Sequence, residues 1–330
     1  MAKKTDQQKY QERSSALIER WSKIYSLSAT QAEGLLNLKQ SSACKINDFA
    51  KPTLSLTQLL AKLKALDVPS QKTTYPQTVI IPNNKSALSH SELFNSGQIS
   101  LLNLSSFLPV LALDIKPTDL VFDACSAPGS KSALIASYLA DPASSLHLND
   151  ASIARAARLK ANLARLNIPV HKISCLDLTL PKSLHKLQPF NFNKILIDAP
   201  CSGDGTINLQ DFKSVLAWTP AKVKRLAKKQ YKILRTIWQL APVDAEIVYS
   251  TCTASPEENE VLIASFLRKH PDAELQDLSL VTDNLEPALS LAKVTQFNKK
   301  DLSEVSSKTV RVFPDQNYIA FFVAKLKKIE

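Results

Sequence analysis

The chain of 330 residues carries 41 basic and 30 acidic side chains, a formal charge of +11, with 45% apolar and 22% charged residues. That balance excludes a disordered or fibrous chain and fits one large or two smaller globular domains. No stretch approaches the roughly 18 uninterrupted apolar residues of a membrane span, and Met1 to Asp6 lacks a signal-peptide core, so a soluble cytoplasmic monomer without a membrane partner is expected. The positive excess suits a polyanionic partner or else a solvated basic surface.

Taken in order, Leu17, Ile18, Trp21, Ile24 and Tyr25 fall near one face and predict a packed helix within the first 39 residues. From Cys44 to Ile81 a small α+β unit is expected, with a helix at Leu56 to Leu66 and a strand at Thr78 to Ile81. An apolar helix is read from Leu101 through Leu113, ending at the Lys116-Pro-Thr-Asp119 turn. The chain is divided ahead of that helix, into units 1–95 and 96–330.

From Leu120 the elements alternate as in a wound α/β sheet. Strands are predicted at Leu120 to Asp123, Ser145 to Asn149, Val170 to Ile173, Lys194 to Asp198 and Glu246 to Ser250. Helices are predicted at Lys131 to Leu139 and Ser152 to Leu166. Val310 to Phe313 and Tyr318 to Val323 read as a closing hairpin. Parallel strands place their ligands beyond the carboxyl ends, and the densest motifs fall there.

The first of these is Asp123-Ala-Cys-Ser-Ala-Pro-Gly-Ser-Lys131, where Gly129 would let backbone approach a ligand at a helix amino terminus. Asp150 ends the next strand, where an acid meets ribose hydroxyls in nucleotide-binding folds. Asp177 completes a ladder of acids with Asp123, Asp150 and Asp198. Any one of these acids equally fits a helix cap. A nicotinamide or nucleoside phosphate would call for GxGxxG or GxxxxGK[ST], and the chain has neither around Gly129.

The second motif, Asp198-Ala-Pro-Cys-Ser-Gly-Asp-Gly205, sets a thiol at a strand end, and Cys252 follows another apolar strand. The five cysteines lack CxxC spacing, so neither a zinc site nor a disulfide framework is expected. Cys44 and Cys175 read as small buried apolar residues, and Cys125 as a backbone contact within its loop.

These motifs, together with Ser250-Thr-Cys-Thr-Ala-Ser-Pro-Glu-Glu-Asn-Glu260, resemble the signatures of the NOL1/NOP2/Sun (RsmB-like) RNA cytosine-5 methyltransferases. The resemblance covers most of Gly97 to Leu326, ending in Arg311-Val-Phe-Pro314 and Phe321-Phe-Val-Ala-Lys325. Lys45-Ile46-Asn47 resembles, more faintly, the family's Arg-Val-Asn in its amino-terminal subdomain. The resemblance implies an α/β fold. A Rossmann-like wound sheet with S-adenosyl-L-methionine as cofactor would form residues 96–330, and a small α+β RNA-binding subdomain would form residues 1–95.

It implies a cofactor site of Cys125, Ser126, Ala127, Pro128, Gly129, Ser130, Lys131, Asp150, Asp177 and Asp198. Cytosine C5 is a poor nucleophile, so a thiolate must first add to C6. By the resemblance Cys252 is that nucleophile and Cys201 assists product release, with Asp198 on the pyrimidine edge and Lys131 steadying the substrate or cofactor. The target would be a cytosine of ribosomal or transfer RNA, single-stranded or flipped out.

The chain departs from the pattern at Ser130, at Pro242-Val-Asp-Ala245, where a Gly-Gly turn is expected, and at an arginine missing from Thr206 to Asp211. The altered glycines keep open a catalytically silent RNA-binding or assembly factor. A DNA enzyme is the third reading, in which the Pro-Cys thiol would itself attack. Finally, Lys222, Lys224, Arg225, Lys228, Lys229, Lys232 and Arg235 share a segment without acids, a basic amphipathic helix suited to RNA phosphates or to plain solvation.

Overall fold

A computed structural model of the protein describes residues 4–82, 85–170, 172–180, 182–187, 189–278 and 289–330. Met1 and His171, which fall in expected segments, lie outside the described residues. Among the described residues no helix is long and apolar enough to cross a membrane.

The small unit is an antiparallel sheet of β1 (Ser42–Ile46), β2 (Gln71–Lys72), β3 (Thr78–Ile81) and β4 (Ile99–Leu102), in the order β2-β3-β1-β4. The helix Leu56–Ala65 starts on a capping box between Ser55 and Gln58, which satisfies two free amide groups. It buries Leu59 and Leu63 against Cys44, Ile46, Val79 and Ile81.

Two expectations change here. The helix read from Leu101 is instead strand β4, whose backbone is held by β1 through Leu101 opposite Cys44 and Leu102 opposite Ala43. The Asn103 side chain then accepts from the Ser105 N–H to start a 3-10 turn, and the helix proper is only Phe107–Ala112. An apolar run alone does not separate strand from helix, and a distant partner decides. The small sheet therefore closes at Leu102, past the expected division at 95 and 96.

The opening helix, Asp6–Tyr25, does not join that unit either. Its Leu17, Trp21 and Ile24 bury against Leu209, Val215, Trp218, Val223 and Ala254, around the thiol loops of the large domain. Tyr10 stacks on Phe212 with ring centroids 5.0 Å apart and donates from its hydroxyl to the Leu209 carbonyl at 2.6 Å. The apolar stripe found a larger partner than the small sheet offered.

The large domain is built on β5 (Val121–Asp123), β6 (Leu146–Asn149), β7 (Lys172–Ser174), β8 (Lys194–Asp198), β9 (Glu246–Thr251) and β10 (Ala273–Gln276). After a short hairpin of β11 (Gln296–Phe297) and β12 (Lys300–Asp301), the sheet is completed by β13 (Val310–Val312) and β14 (Phe321–Lys328). The order is β10-β14-β9-β8-β5-β6-β7, with β13 on β14. Strands β5 to β9 are parallel, while β14 runs antiparallel to β9 and pairs with β13 as the expected closing hairpin.

Alternation along β8 feeds two cores. Leu196 packs with Leu134, Ile135, Leu159 and Leu163 on one face, and Ile195 and Ile197 pack with Ile233, Leu234, Ile237 and Phe266 on the other. A strand buried on both faces reads as a continuous apolar run. Chain order leaves β5 outward through β6 and β7, then returns to β8 on its other side, so the carboxyl ends of β5 and β8 flank a topological switch point.

Candidate active site

Asp123 closes β5, and the loop after it turns into the helix Ser130–Ala136 through Gly129, whose φ is +106°. A Cβ there would sit 2.8 Å from Leu159 Cδ1, a contact that side chain can relieve by shifting, so it is the positive φ that disfavours any residue but glycine. The loop is pinned by Ser126, which donates from its N–H and its hydroxyl to the Asn149 carbonyl, each at 2.8 Å. The Asn149 amide in turn donates to the Ala124 carbonyl at 3.0 Å and the Leu176 carbonyl at 3.1 Å, tying together the ends of β5, β6 and β7.

Two cavities open on this loop. One of about 250 Å³ is lined by Cys125, Asn149, Asp150, Asp177 and Lys229, among others. The other, about 180 Å³, is lined by Asp123, Cys125, Ser126, Ala127, Pro128, Ser130, Lys131 and Asp198, and by Leu101 to Asn103 of the small sheet's edge. Of the ten expected cofactor residues, only Gly129 lines neither cavity. A larger cavity of about 640 Å³ lies between the opening helix, Trp218 and residues 293–298; it includes neither motif thiol.

Two of the carboxylates in these cavities, Asp150 and Asp123, are buried. Asp150 Oδ1 accepts from the Ser152 N–H at 3.0 Å. Among the described residues its Oδ2 has no hydrogen bond, although Arg155 Nη1 lies 3.2 Å away as an ion pair. Asp123 Oδ2 accepts from the Ser132 hydroxyl at 2.7 Å, while among the described residues Oδ1 has no well-formed hydrogen bond. Burial pushes the Asp123 carboxyl up to about 7, opposed by Ser132 and reinforced by the charge of Asp198.

The thiols meet on the neighbouring strands. Cys201 follows β8 and Cys252 follows β9, and their sulfurs are 3.2 Å apart. The contact with Cys252, and then burial, hold the Cys201 thiol well above its usual pKa. Beside them Lys131 Nζ donates to Asp198 Oδ2 at 2.7 Å, and the Ser250 hydroxyl donates to Asp198 Oδ1 at 2.9 Å. Burial alone would lower the Lys131 pKa; the Asp198 carboxylate outweighs it, so the ammonium titrates above its usual value.

The two thiol loops are bolted to each other. The Gly205 N–H donates to the Cys252 carbonyl at 3.2 Å, and a Cβ at Gly205 would lie 2.3 Å from the Ala320 carbonyl oxygen. Glu258 accepts from the Ser202 N–H at 2.9 Å, the Ser202 hydroxyl at 2.5 Å and the Gln230 amide at 2.8 Å. Asp204 accepts from the Ala254 N–H at 2.6 Å, the Ser255 hydroxyl at 2.7 Å and the Thr253 hydroxyl. Glu260 is paired with Arg311 at 2.6 Å, in full burial.

Asn149, Asp204, Gln230 and Glu258 were not singled out from sequence. Asp204 and Glu258 sat inside quoted motifs; Asp204 is marked as an acid amid small residues, whereas Glu258 stands among Glu257, Asn259 and Glu260 with nothing to set it apart. One cysteine reading is overturned: Cys44 is buried, but Cys175 is exposed just past edge strand β7.

A pair of buried acids with an oxygen left over, at the switch point of a wound sheet, fits a polar nucleoside-bearing cofactor. Fold and site define an S-adenosyl-L-methionine-dependent methyltransferase. The family described as 16S rRNA methyltransferase RsmB/F matches residues 110–327. A tRNA (cytosine(49)-C(5))-methyltransferase of Pyrococcus abyssi is 31% identical over 236 residues, covering 71% of this chain and 72% of its own. The probable ribosomal RNA small subunit methyltransferase B of Bacillus subtilis is 36% identical over 197 residues, 59% of this chain and 43% of that one.

NSun6 from Pyrococcus horikoshii, solved with SFG, has the same fold with a TM-score of 0.73 at 19% identity, covering 95% of this chain and 98% of that one. The chain belongs to the RsmB/F family of S-adenosyl-L-methionine-dependent methyltransferases. Its match spans less than half of the Bacillus relative's length.

Proposed function

We propose that this protein methylates C5 of a cytosine in ribosomal or transfer RNA, the base being single-stranded or flipped into the site, through a covalent adduct between Cys252 and C6. The observation that carries the reading is the 3.2 Å approach of the Cys201 and Cys252 sulfurs beside the Lys131 and Asp198 pair. One thiol suffices for addition; a second in contact with it implies a division of labour.

When bound, S-adenosyl-L-methionine supplies an electrophilic methyl group. Cys252, as thiolate, forms the S–C6 bond and drives the ring electrons toward C5, which becomes the nucleophile. Asp198 accepts from the amino edge of the base, and Lys131 aims that carboxylate through their 2.7 Å ion pair. After methylation a base takes the C5 proton, the C5–C6 double bond re-forms, and the S–C6 electron pair returns to Cys252. Cys201, held protonated, gives its proton to the departing sulfur.

On the cofactor side, Asp150 and Asp177 hold hydroxyl groups and the backbone from Cys125 to Ser130 cradles the rest, with Gly129 allowing the close turn. Bisulfite sequencing of total RNA from cells with and without the gene tests the reading. Loss of protection at one or a few cytosines is expected. An unchanged map, together with no methyl transfer to RNA by the purified protein, overturns it.

A further inference from the structure

The helix Pro220–Leu240 has its rotation fixed by packing: Val223 is buried in the core that holds the opening helix, and Ile233, Leu234 and Ile237 in the core beneath β8 and β9. With those positions inward, Lys224, Arg225, Lys228, Lys232 and Arg235 are exposed. Lys222 and Lys229 are half-buried at the edge of the same basic face, which covers roughly half of the helix circumference.

None of these seven cations stands in an ion pair among the described residues. An ordinary solvated helix looks different: in the opening helix Lys9 pairs with Asp6 at 2.8 Å and Lys23 with Glu19 at 2.6 Å. Like charges at helical spacing repel one another, and an unrelieved row of them is what a polyanion completes.

The basic face also touches both halves of the site. Lys222 Nζ donates to the Ser202 carbonyl at 3.3 Å, one residue past Cys201. Lys229 lines the cavity of Asp150 and Asp177. At the amino-terminal end, Lys224 opens onto the cavity shared with Arg20, Lys23 and Lys293. From Lys222 to Arg235 the face runs about 20 Å, long enough for several phosphates.

We infer that single-stranded RNA flanking the target cytosine lies along this face, its phosphates on Lys228, Lys232 and Arg235; this rests on the RNA substrate proposed above. Lysine and arginine on phosphates give affinity without sequence preference. The helix therefore holds the strand while the thiol site selects the base.

The test is a full-length Lys228→Gln/Lys232→Gln/Arg235→Gln variant binding a labelled single-stranded RNA of mixed sequence across a salt series. Each lost contact to a single strand removes about 0.7 from the slope of log affinity on log salt, so the slope should fall by about 2, with affinity about tenfold weaker at low salt. Cofactor affinity and turnover at saturating RNA should stay as in wild type. A comparison variant, Lys116→Gln/Lys172→Gln/Lys186→Gln, three exposed lysines before β5, at the start of β7 and before β8, should keep the wild-type slope.

An unchanged slope in the helix variant, or an equal fall in the comparison variant, overturns the inference. So does a wild-type protein without salt-dependent RNA affinity. Wild type that binds with the expected slope, loses it in the helix variant and yet transfers no methyl supports the docking surface and counts against the enzyme reading alone.

Discussion

The acids beneath the thiols and the acids beside the cofactor cavities are equally buried and chemically alike, yet their oxygens are used differently. Asp204 and Glu258 each accept three hydrogen bonds from loop amides, hydroxyls and a helix side chain. Asp123 and Asp150 each keep an oxygen without a well-formed hydrogen bond among the described residues. A buried carboxylate left short costs stability, so the first pair reads as architecture and the second as a site shaped for something else to complete. Substitutions in the two groups should separate folding from binding.

The largest effect belongs to the thiols that the architectural acids hold. Cys252→Ala should reduce methyl transfer to background while leaving cofactor affinity near wild type, because the thiolate meets only the base. Substantial turnover by that variant would sink the assignment. Cys201→Ala should instead accumulate protein joined to RNA, since addition and methylation proceed while expulsion slows. A denaturing gel of labelled RNA reads both. An adduct made by Cys252→Ala and absent from Cys201→Ala would exchange the two roles, putting the nucleophile on the Pro-Cys loop.

Next comes the architecture itself. Glu258→Ala strands the Ser202 N–H and hydroxyl and the Gln230 amide, at about 1–3 kcal/mol for each buried group left unsatisfied. Glu258→Gln should be much milder, because it copies the protonated acid. Burial, reinforced by Asp204 and opposed by Ser202 and Gln230, pushes the Glu258 carboxyl up to about 7 from an ordinary 4.5.

The folded state therefore keeps this proton where the unfolded chain has released it, so its contribution is full below 4.5 and is lost as pH rises to about 7. Glutamine does not titrate, and the variant should gain on wild type across that window in denaturant melts. A stability difference independent of pH would mean that Glu258 is ionised throughout and that the acid is held by its donors alone.

Much of this arrangement was legible beforehand because it is local. The apolar run of Ile195 to Ile197 declares a doubly buried strand, and the acids and thiols follow their strands directly in sequence. What stayed hidden depends on contacts between distant segments. Leu101 and Leu102 belong to a strand only because β1 lies alongside, and the opening helix left the small unit because Trp218 and Val223 offered it a core. The same holds for Glu258, whose partners Ser202 and Gln230 are 56 and 28 residues away. Cys175 misled for the opposite reason: its type favours burial, but β7 is an edge strand.

The smallest expected effect tests the other half of the contrast. Asp150→Ala removes the oxygen that lacks a hydrogen bond together with one that accepts from the Ser152 N–H, and the Arg155 guanidinium loses an ion partner at 3.2 Å. Loss of a hydrogen bond from a charged acceptor to the cofactor should weaken S-adenosyl-L-methionine by roughly 1.5 to 3 kcal/mol, about 10- to 150-fold. Asp150→Asn separates the contributions, since its side-chain oxygen can keep the Ser152 contact while the acceptor at the other position is lost. If the open oxygen is the one that matters, the two variants should weaken cofactor binding alike in calorimetry, with only Asp150→Ala also lowering the stability of the cofactor-free protein. Unchanged affinity in both would remove Asp150 from the cofactor site and leave its open oxygen to Arg155 alone.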